Sequence, residues 1–399
     1  MQTPLARAEA PPLIIVNPAA GRGRTRRGLP TYLRALRQAL GDVDVVETTA
    51  RGDATALAAA AVVSRRPLVV SLGGDGTLNE VMNGLLGGGG DAGAAGDGGD
   101  AGAVGDAGDA GSAGDAGDAG SAGDAGDAGA VGDAGDAGAV GDAPHASPRA
   151  DGLPLLGIVA SGTGGDFGRS LGMPHRFEAC LHALSAGVPR AVDVGRARYV
   201  GLEGRTVERY WVNVLSAGIG GLVDRYAAAA PRVIGGRLAY AQATLRGIFT
   251  CRRAALRCRA VLADGSESDR RIDAWAIAVC NGGTFGGGMS IAPMARVDDG
   301  LLEVVTVETD TRRTMLRRFT TIYSGTHLRQ QGVGHFSCRT LELEPLAADD
   351  GGVSGAVGPA GRRHRAGLFP LDVDGDALGD VPLRVDVVPR ALRVLGPPV

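Results

Sequence analysis

Two glycine-rich segments stand where predicted strands end. Asn17-Pro18-Ala19-Ala20-Gly21 follows the apolar run Leu13 to Val16, and Gly73-Gly74-Asp75-Gly76-Thr77 follows Pro67 to Leu72. A glycine-rich turn between a buried strand and a helix leaves main-chain N–H groups uncovered, and these can wrap phosphate oxygens. An apolar stripe at helical spacing comes after the second segment: Leu78, Val81, Met82 and Leu85. It places that turn at a helix N-terminus, where anions are favoured, so the two turns predict a nucleotide enzyme.

The chain contains no lysine, so all 41 of its basic Lys and Arg residues are arginines. A Walker A loop, a protein kinase and a pyridoxal-phosphate enzyme each need a lysine at the reacting group. The composition therefore disfavours all three classes. The planar fork of arginine suits phosphate recognition.

Predicted strands and helices alternate in the first half of the chain, which indicates a parallel sheet with ligands beyond the carboxyl ends of its strands. The strands predicted there are Leu13 to Val16, Val43 to Thr48, Leu68 to Leu72 and Leu155 to Val159. All the glycine-rich turns fall on that side. We therefore predict an α/β nucleotide-binding domain over residues 1–187.

From Val188 the pattern changes to short β-branched segments bounded by Gly, Asp or Pro, which is typical of an antiparallel β-sandwich. The segments are Tyr210 to Val214, Ala254 to Leu262, Ala274 to Val279, Leu301 to Val307, Thr340 to Leu346 and Leu383 to Val388. A helix is predicted over Leu238 to Phe249, and its apolar stripe either packs in the core or lines an acyl-chain groove. We predict a β-sandwich domain over residues 188–399.

A low-complexity insertion interrupts the first predicted domain at 87–152. Its body, Gly87 to Ala143, is 19 Gly-X-Y triplets with twelve aspartates, no proline and no basic residue. Collagen has this spacing, but like charges without proline favour a disordered acidic loop instead. A calcium-binding β-roll lacks its apolar residues here, and a trimeric scaffold is the remaining alternative.

The charge outside the tract is positive. The chain carries −3 and the tract −12, so the remaining residues carry +9, all of it from arginine. This balance suits an anionic membrane surface or anionic substrates, or a solvated surface without a partner. Aromatic residues make up 4% and do not interleave with a basic run, so no nucleic-acid partner is predicted.

Compartment signals are few. No apolar run approaches the ~20 residues of a membrane span, and residues 1–12 lack the basic cluster and apolar stretch of a signal peptide. The five cysteines are scattered without a Cys-x-x-Cys pair, which predicts neither disulfides nor a zinc site. We expect a cytoplasmic protein.

Six motifs in order resemble the bacterial diacylglycerol and lipid kinase family, the relatives of sphingosine kinases. They are Asn17 to Gly21, Gly73 to Glu80, Ser161 to Phe167, Gly286 to Met289, Ala295 to Leu301 and Asp372 to Asp376. The first two alone would also fit NAD kinases and phosphofructokinases. The last two, at these distances, narrow the resemblance to lipid kinases.

The resemblance implies an ATP site and a magnesium site. The implied ATP-binding residues are Asn17, Pro18, Ala19, Ala20, Gly21, Thr48, Gly73, Gly74, Asp75, Gly76, Thr77, Leu78, Asn79 and Thr163. Asp75 would lie beside the phosphates as a partner of Mg²⁺. A second magnesium site would use the Asp299 carboxylate and the main chain of Arg296 and Leu301; an ordinary turn before a strand is the equal alternative.

The resemblance also implies catalytic carboxylates, Asp75 and Asp376. Asp376 aligns with the proton acceptor for the lipid hydroxyl, where many relatives carry Glu, and Asp374 is close enough to take that role. A second departure is Gly165, where relatives often carry Asn. A base in phosphoryl transfer mainly orients the hydroxyl and takes its proton late.

The sequence therefore predicts an ATP-dependent lipid kinase with diacylglycerol as leading acceptor and phosphatidic acid as product. The acceptor could also be a sphingoid base, a ceramide or NAD. A catalytically silent lipid or nucleotide binder is the alternative from another class. The β-sandwich domain over residues 188–399 would bind the lipid substrate, and a membrane-lipid substrate implies peripheral contact with a membrane surface. A homodimer is left open.

Overall fold

The computed structural model describes residues 10–87, 150–161, 165–174, 176–201, 204–229, 236–309, 311–346 and 369–398. The predicted disorder of the 87–152 insertion concerns residues that lie almost wholly outside this description. The predicted ATP contact of Thr163 lies outside it as well.

The first region alternates strands and helices as the sequence predicted. The strands are β1 (Leu13–Val16), β2 (Asp44–Glu47), β3 (Leu68–Gly73) and β4 (Leu155–Ala160). The helices are α1 (Ala20–Leu40), α2 (Asp53–Val63), α3 (Asp75–Leu86), α4 (Asp166–Ser170) and α5 (Phe177–Ala186). The four strands pair in parallel in the order β2-β1-β3-β4. Ile14 and Ile15 on β1 are both fully buried in separate apolar clusters, because successive side chains point to opposite faces of a sheet that is covered on both.

The second region is mainly antiparallel. Its strands are β5 (Val188–Val200), β6 (Thr206–Trp211), β7 (Val214–Gly218), β8 (Ala254–Leu262), β9 (Glu267–Ala274), β10 (Ala276–Cys280), β11 (Leu302–Val307), β12 (Val333–Pro345), β13 (Pro370–Val373) and β14 (Asp376–Gly396). Six of them, β14, β13, β7, β10, β11 and β12, pair in a closed ring. Trp211, Phe369 and Leu341 are among the fully buried side chains of its core. The predicted β-sandwich is confirmed.

Strand β14 joins the two regions. It pairs with β13, β12 and β5, and near its end Val394 pairs in parallel with Leu156 of β4. The sequence predicted only Leu383 to Val388 of this strand. Its polar residues broke the pattern, yet they are paired across strands, as in the ion pair between Arg196 and Asp386 at 3.3 Å. The boundary between 187 and 188 stays a prediction.

Three helices cover one side of the second region: α6 (Ile219–Ala228), α7 (Gly236–Thr250) and α8 (Arg312–Phe319). Short 3-10 turns follow at Thr320–Ile322 and Thr326–Arg329. The sequence predicted α7 but missed α6 and α8, which are only ten and eight residues long. None of the helices in the described part of the chain combines the length and apolar character that a membrane crossing requires.

The predicted stripe on α7 divides between core and surface. Ile248 is buried against α6 and the strands beneath, whereas Leu245 and Phe249 are exposed. The side chains of Leu238 and Ala241 lie outside the described part of the chain. The helix therefore packs by one part of its stripe and leaves another part uncovered.

Candidate active site

The glycine-rich turns meet at the carboxyl ends of β1, β3 and β4. The Asn17 side-chain amide donates to the Thr77 hydroxyl at 3.0 Å, which joins the turns after β1 and β3. The Ser161 N–H donates to the Gly73 carbonyl at 2.9 Å and brings in the turn after β4. We call Asn17–Gly21, Gly73–Thr77 and Ser161 the glycine-rich edge.

Close backbone approach explains two of the glycines at the glycine-rich edge. Gly21 has a φ of 61°, and a Cβ there would lie 2.6 Å from the Ser161 carbonyl oxygen. A Cβ on Gly73 would lie 2.5 Å from the Thr77 hydroxyl oxygen. Thr48, at the end of β2, is fixed beside this edge by its N–H bond to Val16 at 2.8 Å. A side chain at Gly21 would push apart the turns after β1 and β4, and one at Gly73 would displace Thr77 at the start of α3.

Asp75 is the first residue of α3 and lies between the two halves of the site. The Gly165 N–H donates to both of its carboxylate oxygens at 3.0 Å. Burial raises the pKa of Asp75 to about 6, and the nearby carboxylates of Asp166 and Asp374 act in the same direction. Crowded carboxylates with raised pKa values favour a bound cation, because the cation stabilises their ionised forms.

A two-residue turn positions the acidic residues of the second region. Val373 pairs with Asp376 across the turn, and the turn residues Asp374 and Gly375 have φ angles of 49° and 90°. Asp-Gly is a preferred sequence for such a tight hairpin, because both residues tolerate positive φ. We call Asp372–Asp376 the acidic hairpin.

Asp374 is clamped by main-chain donors. The N–H groups of Val212, Asn213 and Val214 donate to it at 3.2, 3.1 and 3.0 Å, and the Asn79 amide donates at 2.9 Å. Burial raises the pKa of Asp374, whereas these four donors lower it. With its oxygens occupied in this way, Asp374 holds the acidic hairpin against α3 and β7.

Asp376 is held by arginines and remains partly open to solvent. Arg209 donates to it at 2.6 Å, and Arg51 approaches it at 3.1 Å. Arg209 also donates to Asn79 at 2.6 Å. Asn79 lies on the same helix as Asp75, so one continuous set of contacts joins the glycine-rich edge to Asp376.

A second pair of carboxylates lies behind the acidic hairpin. Asp372 is buried, accepts the Ser216 hydroxyl at 3.1 Å and the Gly375 N–H at 3.2 Å, and is hydrogen-bonded to Asp224 of α6. Burial raises the pKa of both acids, and their mutual repulsion adds to the effect at Asp372. Their hydrogen bond lowers the pKa of Asp224 and raises the pKa of Asp372, so the shared proton lies on Asp372.

The 296–301 turn is built around the buried carboxylate of Asp193. The Gly300 N–H donates to one Asp193 oxygen at 2.6 Å and the Arg390 N–H to the other at 2.7 Å. The Asp193 N–H in turn donates to the Val297 carbonyl at 2.6 Å. Hydrogen bonds with Asp193 therefore hold the 296–301 turn in place.

Asp299 has surroundings that fit a hard cation. It accepts the Leu301 N–H at 3.1 Å. Burial raises the pKa of Asp299, and the neighbouring carboxylates of Asp193 and Glu303 act in the same direction. Carboxylate oxygens in a repulsive acidic setting are ligands that suit Mg²⁺. Within the described residues no three or more His, Cys, Asp or Glu side chains form a metal-binding group, so such a site would rely on main-chain oxygens as well.

Family comparisons match both regions. The family model described as the diacylglycerol kinase catalytic domain matches residues 11–96 and 111–197. The one described as the YegS C-terminal NAD kinase beta sandwich-like domain matches residues 213–396. The chain belongs to the diacylglycerol kinase and YegS-like lipid kinase family, a family of phosphotransferases.

Relatives of this lipid kinase are distant in sequence. It is 28% identical over 244 residues to the diacylglycerol kinase of Mycobacterium tuberculosis strain H37Rv, covering 61% of this chain and 69% of the relative. It is 28% identical over 245 residues to the probable lipid kinase YegS-like of Chromohalobacter salexigens, covering 61% and 68%. A crystal structure of a diacylglycerol kinase from Bacillus anthracis strain Sterne superposes with a TM-score of 0.55 at 18% identity, covering 97% of this chain and 96% of that one. That likeness supports the fold.

In the structure of this lipid kinase, the predicted site residues lie in several separate places. Asn17, Pro18, Ala19, Ala20, Gly21, Thr48, Gly73, Gly74, Gly76 and Thr77 lie at or beside the carboxyl ends of the parallel strands. Leu78 packs in the apolar core, and Asn79 is buried between the regions. Arg296, Asp299 and Leu301 form a separate turn.

Sequence reasoning missed Arg51 and Arg209, which both hold Asp376. Arg51 follows Thr48 by three residues in a chain without lysine, so it could have been noted as a candidate anion ligand. Arg209 sits in an ordinary β-strand between Glu208 and Tyr210, and only the tertiary structure brings it to the acidic hairpin.

Proposed function

We propose that this lipid kinase transfers the γ-phosphoryl group of ATP to the hydroxyl of diacylglycerol and releases phosphatidic acid. The observation that carries the proposal is the bridge formed by Asn79 and Arg209. It ties the helix that starts at Asp75 to Asp376, the proposed proton acceptor. The proposed ATP-binding edge and the proposed proton acceptor are therefore linked by one set of contacts.

The glycine-rich edge supports the donor half of the reaction. Its exposed main chain, as at Gly76, can bind phosphate oxygens through N–H groups. Bound ATP would leave its terminal phosphate next to the start of α3.

Asp376 is the better candidate than Asp374 for the base. Four N–H donors occupy Asp374, so it has no free position for a substrate hydroxyl. Asp376 keeps 22% of its side chain exposed and is bound by side chains that can move aside. Asp376 would orient the lipid hydroxyl and accept its proton as the phosphoryl group transfers, while Asp374 positions the hairpin.

Magnesium is the metal that these residues fit best. Asp75 would hold it at the phosphates, and Asp299 with the main chain of Arg296 and Leu301 would hold a second ion in the β-domain. Bound at the phosphates, Mg²⁺ supplies neutralisation of the charge on the phosphoryl oxygens. Gly165 supports the Asp75 carboxylate through its N–H, which a different residue at that position would also provide.

The decisive experiment offers purified protein radiolabelled ATP, Mg²⁺ and one acceptor at a time. The acceptors are diacylglycerol, sphingosine, ceramide and NAD. We expect label in phosphatidic acid and none above background with the other three. Label on another acceptor would replace diacylglycerol in the proposal, and binding of lipid or ATP without turnover on any acceptor would indicate a silent binder.

A substrate that resides in a bilayer requires a protein that works at its surface. We therefore extend the proposal to a cytoplasmic enzyme that contacts the membrane peripherally. A homodimer stays a prediction from the sequence.

A further inference from the structure

We propose that the outer face of α7 and α8 docks the protein on anionic membrane lipid, an inference that rests on the proposed function. The face comprises three exposed apolar side chains and the arginines around them. The apolar side chains are Leu245, Phe249 and Leu316, and the arginines are Arg246, Arg252, Arg253, Arg312 and Arg313. We call this set the docking face.

The exposed side chains are not needed to hold the helices in place. Phe249 is 59% exposed, Leu245 51% and Leu316 41%. The opposite sides of the same helices supply the packing, since Ile248 and Met315 are buried in a cluster that includes Trp275. Large apolar side chains left uncovered on helices that are already well packed indicate an interaction surface.

The charge of the docking face favours an anionic bilayer as its occupant. Residues 242–253 and 312–316 contain five arginines and not one Asp or Glu, although the whole chain carries −3. Two of the guanidinium groups are fixed over aromatic rings: Arg246 lies 4.3 Å from the Tyr226 ring centre and Arg312 lies 5.5 Å from that of Trp275. In an interfacial helix, apolar side chains enter the headgroup layer and the arginines around them bind lipid phosphates. The docking face has both kinds of side chain.

The docking face lies one helix away from the proposed base. Helix α7 packs on α6, where Gly247 approaches Val223 so closely that a Cβ would lie 2.9 Å from it. Arg225 of α6 donates to the Leu378 and Gly379 carbonyls of β14 at 3.0 and 2.8 Å, just beyond Asp376. The docking face is therefore linked to the acidic hairpin through a single helix, α6.

Vesicle co-sedimentation without ATP tests the inference on the full chain. The vesicles are phosphatidylcholine alone, or phosphatidylcholine with about one third phosphatidylglycerol, at low and high salt. We expect binding to the anionic vesicles that weakens with salt. Leu245→Ala with Phe249→Ala should weaken it about tenfold, and Arg252→Gln with Arg253→Gln about fivefold per guanidinium removed.

Matched control variants lie on the first region. Val63→Ala removes an apolar side chain that is 85% exposed on α2, and Arg34→Gln with Arg37→Gln removes two exposed arginines from α1. These controls should bind vesicles like the parent. All variants should keep the parent's melting temperature and its turnover of a water-soluble, short-chain diacylglycerol, since neither depends on docking.

Three outcomes would overturn the inference. One is unchanged vesicle binding in both docking-face variants. Another is an equal loss of turnover on the soluble substrate, which would place these residues in the active site. The third is a parent dimer in size-exclusion chromatography that the Leu245 and Phe249 changes dissociate, which would make the face a subunit interface. If the parent binds anionic vesicles through this face but phosphorylates no diacylglycerol, docking stands and the proposed function fails.

Discussion

The glycine-rich edge and the acidic hairpin are neighbouring parts of the site that hold their functional groups in place in different ways. The edge offers main-chain N–H groups, fixed by close packing between strand ends such as that of Gly21 against Ser161. The hairpin offers side-chain carboxylates, fixed by individual donors such as Arg209 and Asn79. The edge should therefore be sensitive to added bulk, and the hairpin to the loss of a single charge.

The difference also separates binding from catalysis. Main-chain groups that hold phosphates in the ground state and in the transition state contribute mostly to affinity. A carboxylate that accepts a proton during transfer contributes mostly to turnover. Variants of the two regions should consequently split between the KM for ATP and kcat.

The largest effect is expected for Asp376→Asn. It removes the proposed base but keeps the size of the side chain, so kcat on diacylglycerol should fall about a thousandfold while the KM for ATP changes little. Steady-state kinetics with radiolabelled ATP measure both. Asp269→Asn, a change in another arginine-paired carboxylate on an exposed strand, is the control and should keep full activity. Asp376→Glu should retain most of the activity. Near-normal turnover in Asp376→Asn would show that another group takes the proton.

Asp75→Asn should lower kcat/KM about a hundredfold by weakening the hold on Mg²⁺ and phosphates. The raised pKa of Asp75, about 6, gives this prediction a second readout. The ionised form is the one that binds a cation, so kcat/KM of the parent should fall as pH drops through 6. Higher Mg²⁺ should move that fall to lower pH, because the ion favours the carboxylate. A parent profile that is flat between pH 5 and 7 would contradict the role of Asp75.

Sequence patterns predicted the glycine-rich edge well because its determinants are local. Each turn follows an apolar strand and precedes a helix, and Gly21 and Gly73 are demanded by neighbours that the βα order brings together. The Asp-Gly turn of the acidic hairpin is equally local, although the sequence analysis noted this segment only as a family motif. The resemblance to the lipid kinase family also rested on short local motifs, six in all.

Contacts distant in sequence could not be predicted in the same way. Arg209 reaches Asp376 across 167 positions, and Asn79 reaches Asp374 across 295. The full length of β14 was missed for a related reason, since its polar residues are paired by strands far along the chain. The α7 stripe was ambiguous from periodicity, and only the packing of Ile248 separates its core side from the exposed Phe249.

A smaller effect is expected at the glycine-rich edge from Gly21→Ala. The added Cβ would meet the Ser161 carbonyl, so the turn must shift and the KM for ATP should rise about tenfold with kcat nearly unchanged. Gly23→Ala is a matched control, because Gly23 also has a positive φ but no atom lies within 4 Å of its Cβ position. Isothermal titration with ATP compares the two variants. Equal losses of affinity would assign the effect to backbone strain and not to the contact with Ser161.

The smallest effect concerns the acids behind the acidic hairpin, and it appears in stability. Burial raises the pKa of both Asp224 and Asp372 above the ordinary value of about 4, so their protonated form stabilises the fold at low pH and that stability is lost as pH rises through the folded pKa. Asp224→Asn supplies a permanent donor to Asp372 and removes the repulsion between the two carboxylates. Its Tm should match the parent near pH 5 and exceed it near pH 8, by about 1 kcal/mol or roughly 2 °C. Ser216→Ala removes a donor from the same carboxylate and should instead lower Tm at both pH values. A constant difference between Asp224→Asn and the parent across this range would show that the two acids share no proton.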